Sequence, residues 1–405
     1  VTDMQGRKLF KPIQQHPRTY IYNDEEREFY RLLTDFIASG RAYASTLSKT
    51  EGNQVVLVLI AMQKLASSSV AAIRKALKGR LARLTDEKAV LQKKLEEEKA
   101  RLAAQGSLVS PEADADLLDL QQKLDEMALE DTAASIKLLA NEIPHLQTLV
   151  DAADAVTMET KIERILEVIE SEFTDSEILF FTEYKATQSL LMSALIQKYG
   201  DGCVAFINGE DRVEGVIQAN GRPETMTMKR TTAADRFNAG NVRFLVSTEA
   251  GGEGIDLQRR CHTLIHVDLP WNPMRLHQRV GRLNRYGQQH PVDVVSLRNE
   301  ETVEALIWGK LNTKLQQIMA ALGAAMDEPE DLLQLVLGMS DKSFFTEIFS
   351  EAGTVDQEKL SDWFDQKAST FGGAGAIETV KALVGNAAKF DYGGLKEIPA
   401  LDPVS

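Results

Sequence analysis

The sequence predicts an α/β fold: a doubly wound parallel sheet, preceded by helices that carry a coiled-coil hairpin and followed by a helical C-terminal extension. Three observations predict it. From residue 178 the short apolar runs ILFFT (178–182), CVAFI (203–207), VRFLVS (242–247), TLIHVD (263–268) and VDVVSL (292–297) alternate with stretches of helical character. Strands that are apolar throughout and separated by helices belong to a sheet covered on both faces. Upstream, leucines recur at alternating spacings of four and three. Downstream, the stretch from Met326 to the end holds 15 acidic and 6 basic residues in mostly helical patterning, loosening at FGGAGA (371–376).

Taken in order, residues 18–37 read as a short strand, a turn at Asn23-Asp24 and an amphipathic helix. The run VVLVLIAMQKLASSS (55–69) is too long and too rich in Met and Ala for a strand and predicts a buried helix. Leu77, Leu81, Leu84, Leu91, Leu95 and Leu102 make one leucine-seamed arm, interrupted by Lys88 and Glu98. Leu117, Leu120, Leu124, Met127, Ala134 and Leu138 make a second, and QGSLVSP (105–111) supplies turn residues between them. This predicts an antiparallel hairpin over about 77–138 that protrudes from a domain, with a plain helical bundle as the other reading. The expected organisation is a helical lead-in over 1–160, a sheet domain over 161–325 that ends in a helix from about Thr302 to Leu322, and an acidic extension over 326–405.

Composition bounds the function. The chain of 405 residues is 43% hydrophobic and 26% charged, enough for two or three domains with a core. No apolar run approaches the roughly 18 residues of a membrane span, so no membrane role is expected. The formal net charge of −14 argues against a protein coated in nonspecific nucleic-acid affinity. Net −9 of it sits beyond Met326, which leaves room for a local basic groove. Two cysteines, Cys203 and Cys261, fit a reducing cytoplasm and make no disulfide framework. Cys261, His262 and His266 lack a nearby fourth ligand, so no metal site is expected of them. The start, VTDMQGRKLF, lacks an initiator Met and is no signal peptide; it reads as a cut inside a longer protein.

Two stretches carry chemistry. In HQRVGRLNRYGQ (277–288), read as one helix, Leu276, Val280 and Leu283 share an apolar face. Gln278, Arg282 and Arg285 share nearly the opposite one, Arg279 lies to one side, and Gly281 permits close approach. Paired guanidiniums suit the oxygens of a polyphosphate, although a solvated basic face has the same pattern. In FLVSTEAGGEGIDLQ (244–258) a buried strand runs through Thr248 into a glycine-rich loop and Asp256. Hydroxyls and backbone N–H groups at that end of a parallel sheet suit phosphate, and the Asp suits an arginine or a ribose hydroxyl. The loop is not a Walker A motif, since no G-K-[ST] closes it.

The segments ILFFTEY (178–184), GEGIDLQ, HVDLPWNP (266–273) and HQRVGRLNRYGQ resemble, in this order, motifs IV, V, Va and VI of the Swi/Snf-like branch of superfamily II ATPases. The bacterial RapA/HepA type and phage-defence helicases are nearest. The resemblance covers about residues 160–325, with weaker support from RTYIYNDEEREFY and QKLASSS; Asn284 stands where many relatives carry His or Asp. It implies a second RecA-like lobe. Arg282 and Arg285 would be arginine fingers on ATP, with Gln278, Gly254 and Asp256 at the nucleotide. Thr182, Asn208, Gly209 and Thr248 would touch the nucleic-acid backbone. No G-x-G-K-[ST] and no D-E-x-H occurs in the 405 residues. The Mg²⁺ that accompanies ATP would therefore be held by a first RecA-like lobe of the same protein, lying outside this chain.

The expectation that follows is the C-terminal half of a cytoplasmic ATP-dependent translocase on double-stranded DNA, inactive as a fragment. Other proteins would bind through the hairpin or the acidic tail. A strand-separating DNA or RNA helicase, and a noncatalytic scaffold, stay open beside it.

Overall fold

The computed structural model describes residues 11–85, 142–249, 256–271, 273–299 and 301–302, with Ile307, Gly309 and Trp363 singly. The chain divides into two units, residues 1–271 with 275–302 and residues 272–274 with 303–405; nearly all of the second lies outside the described residues. The helix expected over 302–322 and the acidic extension fall there.

The five apolar runs become five strands of a six-stranded sheet, and Ile13–Tyr20 adds the sixth at its edge. β1 (Ile13–Tyr20), β2 (Ile178–Thr182), β3 (Val204–Ile207), β6 (Phe244–Thr248), β7 (Thr263–His266) and β8 (Val292–Asn299) align in the order β1-β8-β7-β2-β6-β3, every pairing parallel. β2, β3, β6 and β7 are buried at every position. The reason is coverage from both sides. Phe180, Phe206, Val246 and Ile265 face Ile162, Ile165 and Ile169 of α5 (Thr160–Glu172) and Leu191, Met192 and Leu195 of α6 (Lys185–Tyr199). Leu179, Phe181, Leu245 and Leu264 face Phe237 of α7 (Arg230–Asn238) together with Val280 and Leu283. Alternate residues of one strand feed opposite cores, as the two-residue period requires. This is a doubly wound parallel sheet, as expected.

One feature of the sheet domain was not predicted. β4 (Arg212–Ile217) and β5 (Pro223–Thr227) form a separate antiparallel hairpin between β3 and α7. Only Val213 and Val216 of β4 are buried, and the register shifts between them beside Gly215 at φ 69°. A bulge of this kind breaks the alternation that would betray a strand.

The lead-in is helical as expected. α1 (Asp24–Ala44) starts with a capping box: the Asn23 side chain accepts from the Glu26 N–H, and the Glu26 carboxylate accepts from the Asn23 N–H. Phe29, Leu33 and Phe36 turn inward at helical spacing. α2 (Lys49–Ser68) packs Val55, Leu59 and Met62 against them. A Cβ on Gly52 would stand 2.6 Å from the Ala44 carbonyl oxygen, so this close approach of α2 to the end of α1 requires glycine. α3 (Val70–Thr85) and α4 (Glu142–Ala155) complete the core. Leu77 is fully buried in it and Leu81 and Leu84 pack on it. Residues 77–85 therefore belong to the helical core rather than to a protruding arm; the other leucines of the expected hairpin lie outside the described residues. Among the described residues no helix is long and apolar enough to cross a membrane.

Candidate functional site

Just past the C-terminal ends of β6, β2 and β7 stand Glu249, Glu183 and Asp268, all buried. α8 (Pro273–Val280) lies over them and brings Arg275 and Arg279 one helical turn apart. Arg279 is wholly enclosed. Its Nε donates to Glu249 at 2.5 Å, its Nη1 donates to the Asp268 carbonyl at 2.8 Å, and its Nη2 lies 3.3 Å from Asp268 Oδ1. The guanidinium also rests 5.6 Å from the centre of the Phe181 ring. Arg275 Nη1 donates to Glu183 at 2.6 Å. Burial pushes the Glu183 carboxyl above the ordinary range, and Asp268 and Glu249 add to this while Arg275 and Arg279 oppose it. Burial would lower the pKa of Arg279, but Glu249, Asp268 and Glu183 outweigh it and hold the guanidinium more basic than usual.

The Asp268 carboxylate has further donors: Thr182 Oγ1 at 2.6 Å, Ser68 Oγ at 2.7 Å and the Glu183 N–H at 2.9 Å. The Thr187 hydroxyl bonds Ser68 and Ser69, at 2.8 and 2.7 Å, and Lys161 Nζ donates to the carbonyls of Ser67 and Ser68. A buried polar chain thus runs from α8 to the end of α2.

The helix expected through residue 288 ends at Val280. Beyond it the chain proceeds by tight turns, with Arg282 N–H donating to the Arg279 carbonyl, Leu283 N–H to Val280 and Arg285 N–H to Leu283, and with Gly287 at φ 95°. Gly281, Asn284 and Gly287 within seven residues are poor helix formers, which accounts for the stop. The single face of Gln278, Arg282 and Arg285 drawn from helical spacing is therefore replaced by a helix end and a turn. Gln278 is exposed on α8, Arg282 is half-buried on the turn, and Arg285 follows it. Val280 and Leu283 do pack inward, as expected.

Arg285 and Asp256 come together: Nη1 lies 3.7 Å from Asp256 Oδ1, while Arg285 Nε donates to the Gly281 carbonyl at 2.9 Å. With Gln258, Arg259, the exposed Tyr286 and Gly287 they line an open cleft of about 560 Å³. Gly254 lies outside the described residues. Of the four positions expected at nucleic acid, only Gly209 is exposed. Thr182 is buried and its hydroxyl is committed to Asp268. Asn208 is buried and bonds Gln188, the Arg212 carbonyl and the Glu210 N–H, so it shapes its turn from within. Thr248 is buried, and its hydroxyl has no hydrogen-bond partner among the described residues. Thr182 and Thr248 are thus buried even though they stand at the ligand-facing end of the sheet.

Arg279 is the residue that periodicity passed over. The signal was present: two arginines at i and i+4, and an acidic residue after each of three strands, in FFTEY, VSTEA and HVD.

The stretch that forms this sheet and the helix over its strand ends has known relatives. Residues 160–287 match the helicase conserved C-terminal domain. An uncharacterized ATP-dependent helicase of Bacillus subtilis, YqhH, is 32% identical over 215 residues, which are 53% of this chain and 34% of that protein. The RNA polymerase-associated protein RapA of Vibrio campbellii is 26% identical over 50% of this chain and 20% of its own length. A mouse SWI/SNF-related regulator of chromatin, subfamily A member 1, is 27% identical over 55% and 21%. The matched stretch spans between 20% and 34% of the length of these relatives. Residues 160–287 thus resemble the C-terminal lobe of Swi/Snf-like superfamily II helicases.

Proposed function

We propose that the chain is the C-terminal half of an ATP-dependent translocase on double-stranded DNA, and that Arg282 and Arg285 act as arginine fingers toward ATP seated on a first RecA-like lobe elsewhere in the same protein. The observation that carries this reading is the placement of Arg285, held at a cleft rim by Asp256 on a turn hung from an internally anchored helix. The donor set fits the nucleotide: guanidinium and amide N–H groups match phosphate oxygens. ATP, with Mg²⁺ held by the first lobe, would supply the transferable phosphoryl group. Arg282 and Arg285 would set fixed positive charge against the charge that develops there, with Gln278 alongside them. Asp256 limits the swing of Arg285. Toward DNA, the exposed Gly209 turn offers backbone rather than the hydroxyls of Thr182 and Thr248.

In the full-length protein, Arg285→Ala should lower DNA-stimulated ATP hydrolysis by about 10³-fold or more with DNA affinity nearly intact. The isolated 405-residue chain should turn over no ATP above background. Lost DNA affinity, a salt slope smaller by about one and preserved turnover per complex would instead reassign Arg285 to the DNA groove.

A further inference from the structure

We propose that Arg279 is a positioning residue for the arginine fingers, and that through Asp268 it ties their placement to Ser68 at the junction of α2 and α3. The inference rests on the finger reading of Arg282 and Arg285. It starts from charge that is costly to bury. Glu183, Glu249 and Asp268 against Arg275 and Arg279 put five ionisable groups under α8, with Arg279 fully enclosed. Apolar side chains of similar volume hold a helix to a sheet as well or better. What the ion cluster gives and an apolar plug does not is one orientation, because a planar guanidinium bonds in fixed directions.

The partners of Arg279 are placed where orientation matters. Glu249 immediately precedes the glycine-rich segment that leads to Asp256, the partner of Arg285. Asp268 follows β7 at the start of the link to α8. The backbone carbonyl of Arg279 accepts from Arg282 N–H at 3.1 Å, so the finger turn hangs on this residue directly. One side chain therefore bonds residues at the exits of two neighbouring strand ends, Glu249 after β6 and Asp268 after β7, while its backbone bears the finger turn.

The second half of the inference concerns the far oxygen of Asp268. Oδ1 lies toward Arg279, whereas Oδ2 accepts from Ser68 and Thr182. Ser69 breaks the helix between α2 and α3 with extended backbone, φ −164° and ψ 158°, and its hydroxyl shares Thr187 with that of Ser68. Lys161 holds the carbonyls of Ser67 and Ser68 from the α5 side. A shift of the α2 end would withdraw the Ser68 hydroxyl, release Asp268 to turn, and loosen Arg279. The α3 that follows runs to Thr85, where residues 86–141 are inserted before α4. Displacement of the helical lead-in is thereby given a route to the fingers.

The test uses the full-length protein that carries this chain, with steady-state ATP hydrolysis on double-stranded DNA, DNA affinity and a thermal melt for each variant. Arg279→Lys keeps the charge and loses the fork; kcat should fall by about tenfold to a hundredfold with KM for ATP little changed, the signature of misplaced rather than missing groups. Ser68→Ala removes one hydroxyl and leaves Asp268 its other donors; kcat should fall between about twofold and tenfold at unchanged melting temperature. The double variant should lose no more than Arg279→Lys alone, because both act through one carboxylate. Full kcat in folded Arg279→Lys, full kcat in Ser68→Ala, or losses that multiply in the double variant would each overturn the proposal. If Arg279→Lys does not fold, the kcat and KM of Ser68→Ala decide alone. Arg285→Ala in the same series separates the two readings: if it hydrolyses ATP normally the finger assignment falls, and if it is inactive while Arg279→Lys and Ser68→Ala are normal only the positioning role falls.

Discussion

Replacing Arg80 by Met should destabilise the helical lead-in by about 3–5 kcal/mol, the usual loss when one partner of a buried pair is removed. The pair joins α3 to α4 across the insertion: Arg80 Nη2 donates to Glu142 Oε2 at 2.8 Å and Nε donates to Oε1. Their side chains are only 1% and 4% exposed, so solvent screening offers no discount. Met matches the length of the stem, so the cost comes from a carboxylate that keeps its burial and loses its two-pronged counter-charge. At about 2–4 °C per kcal/mol for a domain of this size, the melt of the lead-in should drop by on the order of 10 °C. Combining Arg80→Met with Glu142→Leu removes both charges, and stability should return to within about 1–2 kcal/mol of the parent. Urea unfolding followed by far-ultraviolet circular dichroism, with hydrogen exchange read on the α3 and α4 amides, measures all three proteins. A loss below about 1 kcal/mol for Arg80→Met, or a double variant as weak as the worse single one, would refute a buried pair at this junction.

Two further outcomes follow from buried titratable groups. Burial pushes the Cys203 thiol up to about 11 and the Cys261 thiol up to about 12, from an ordinary 9.0. A thiol reagent at pH 8 should therefore label neither in the native chain and both in denaturant, with Cys203 first as pH rises; rapid native labelling of Cys261 would contradict its place beside β7. Glu159, buried at the start of α5 and bonded to the Ala71 N–H, has its carboxyl raised above 4.5 by burial, against the pull of that N–H and Lys161. The folded state then binds more protons than the unfolded one above pH 4.5, so this group's share of stability is full below that pH and is lost as pH climbs through the raised value. Glu159→Gln should flatten the decline in urea midpoints above pH 4.5, although Glu26, also raised by burial, keeps part of it. An unchanged slope would refute the assignment.

The sheet was legible because its strands are apolar on both faces; ILFFT needs no partner to look buried. The β4–β5 hairpin was not, since a bulge at Gly215 and exposure of Arg212, Glu214 and Ile217 leave two inward valines too few for a period. Leu77 and Leu81 fitted a heptad, but so does any helix with one apolar face, and it is the full burial of Leu77 and of Arg80 beside it that shows this turn of α3 is core. A buried arginine has no periodic signature. Its partners decide its environment, and Glu142 stands 62 residues away.

The same blindness divided the site. Asp256 was read from sequence only as suited to an arginine or a ribose hydroxyl; that the arginine is Arg285 emerges from the fold. Thr182 and Thr248 could not be placed, because the end of a strand does not say whether its last hydroxyl faces solvent or a covering segment. Arg279 was set aside as off-axis, yet Glu249 lies 30 residues before it and Asp268 11 before it, at distances only the sheet can close.

The two arginines on which the proposed chemistry turns differ in what holds them. Arg279 is wholly buried among carboxylates at 2.5–3.3 Å, and giving up those partners would strand charge in the interior. Arg285 lies 3.7 Å from an Asp256 that is 68% exposed, a pair of the kind that contributes about 0–1 kcal/mol. Such a pair points a guanidinium without keeping it, and a polyphosphate, with more charge and bidentate geometry, displaces the carboxylate at little cost. Release must be equally cheap, since a finger that stayed on the product would halt each cycle. A weak exposed pair on a turn, carried by a residue that cannot move, meets both requirements, and it explains why one short arginine-rich motif contains a locked arginine and an exchangeable one.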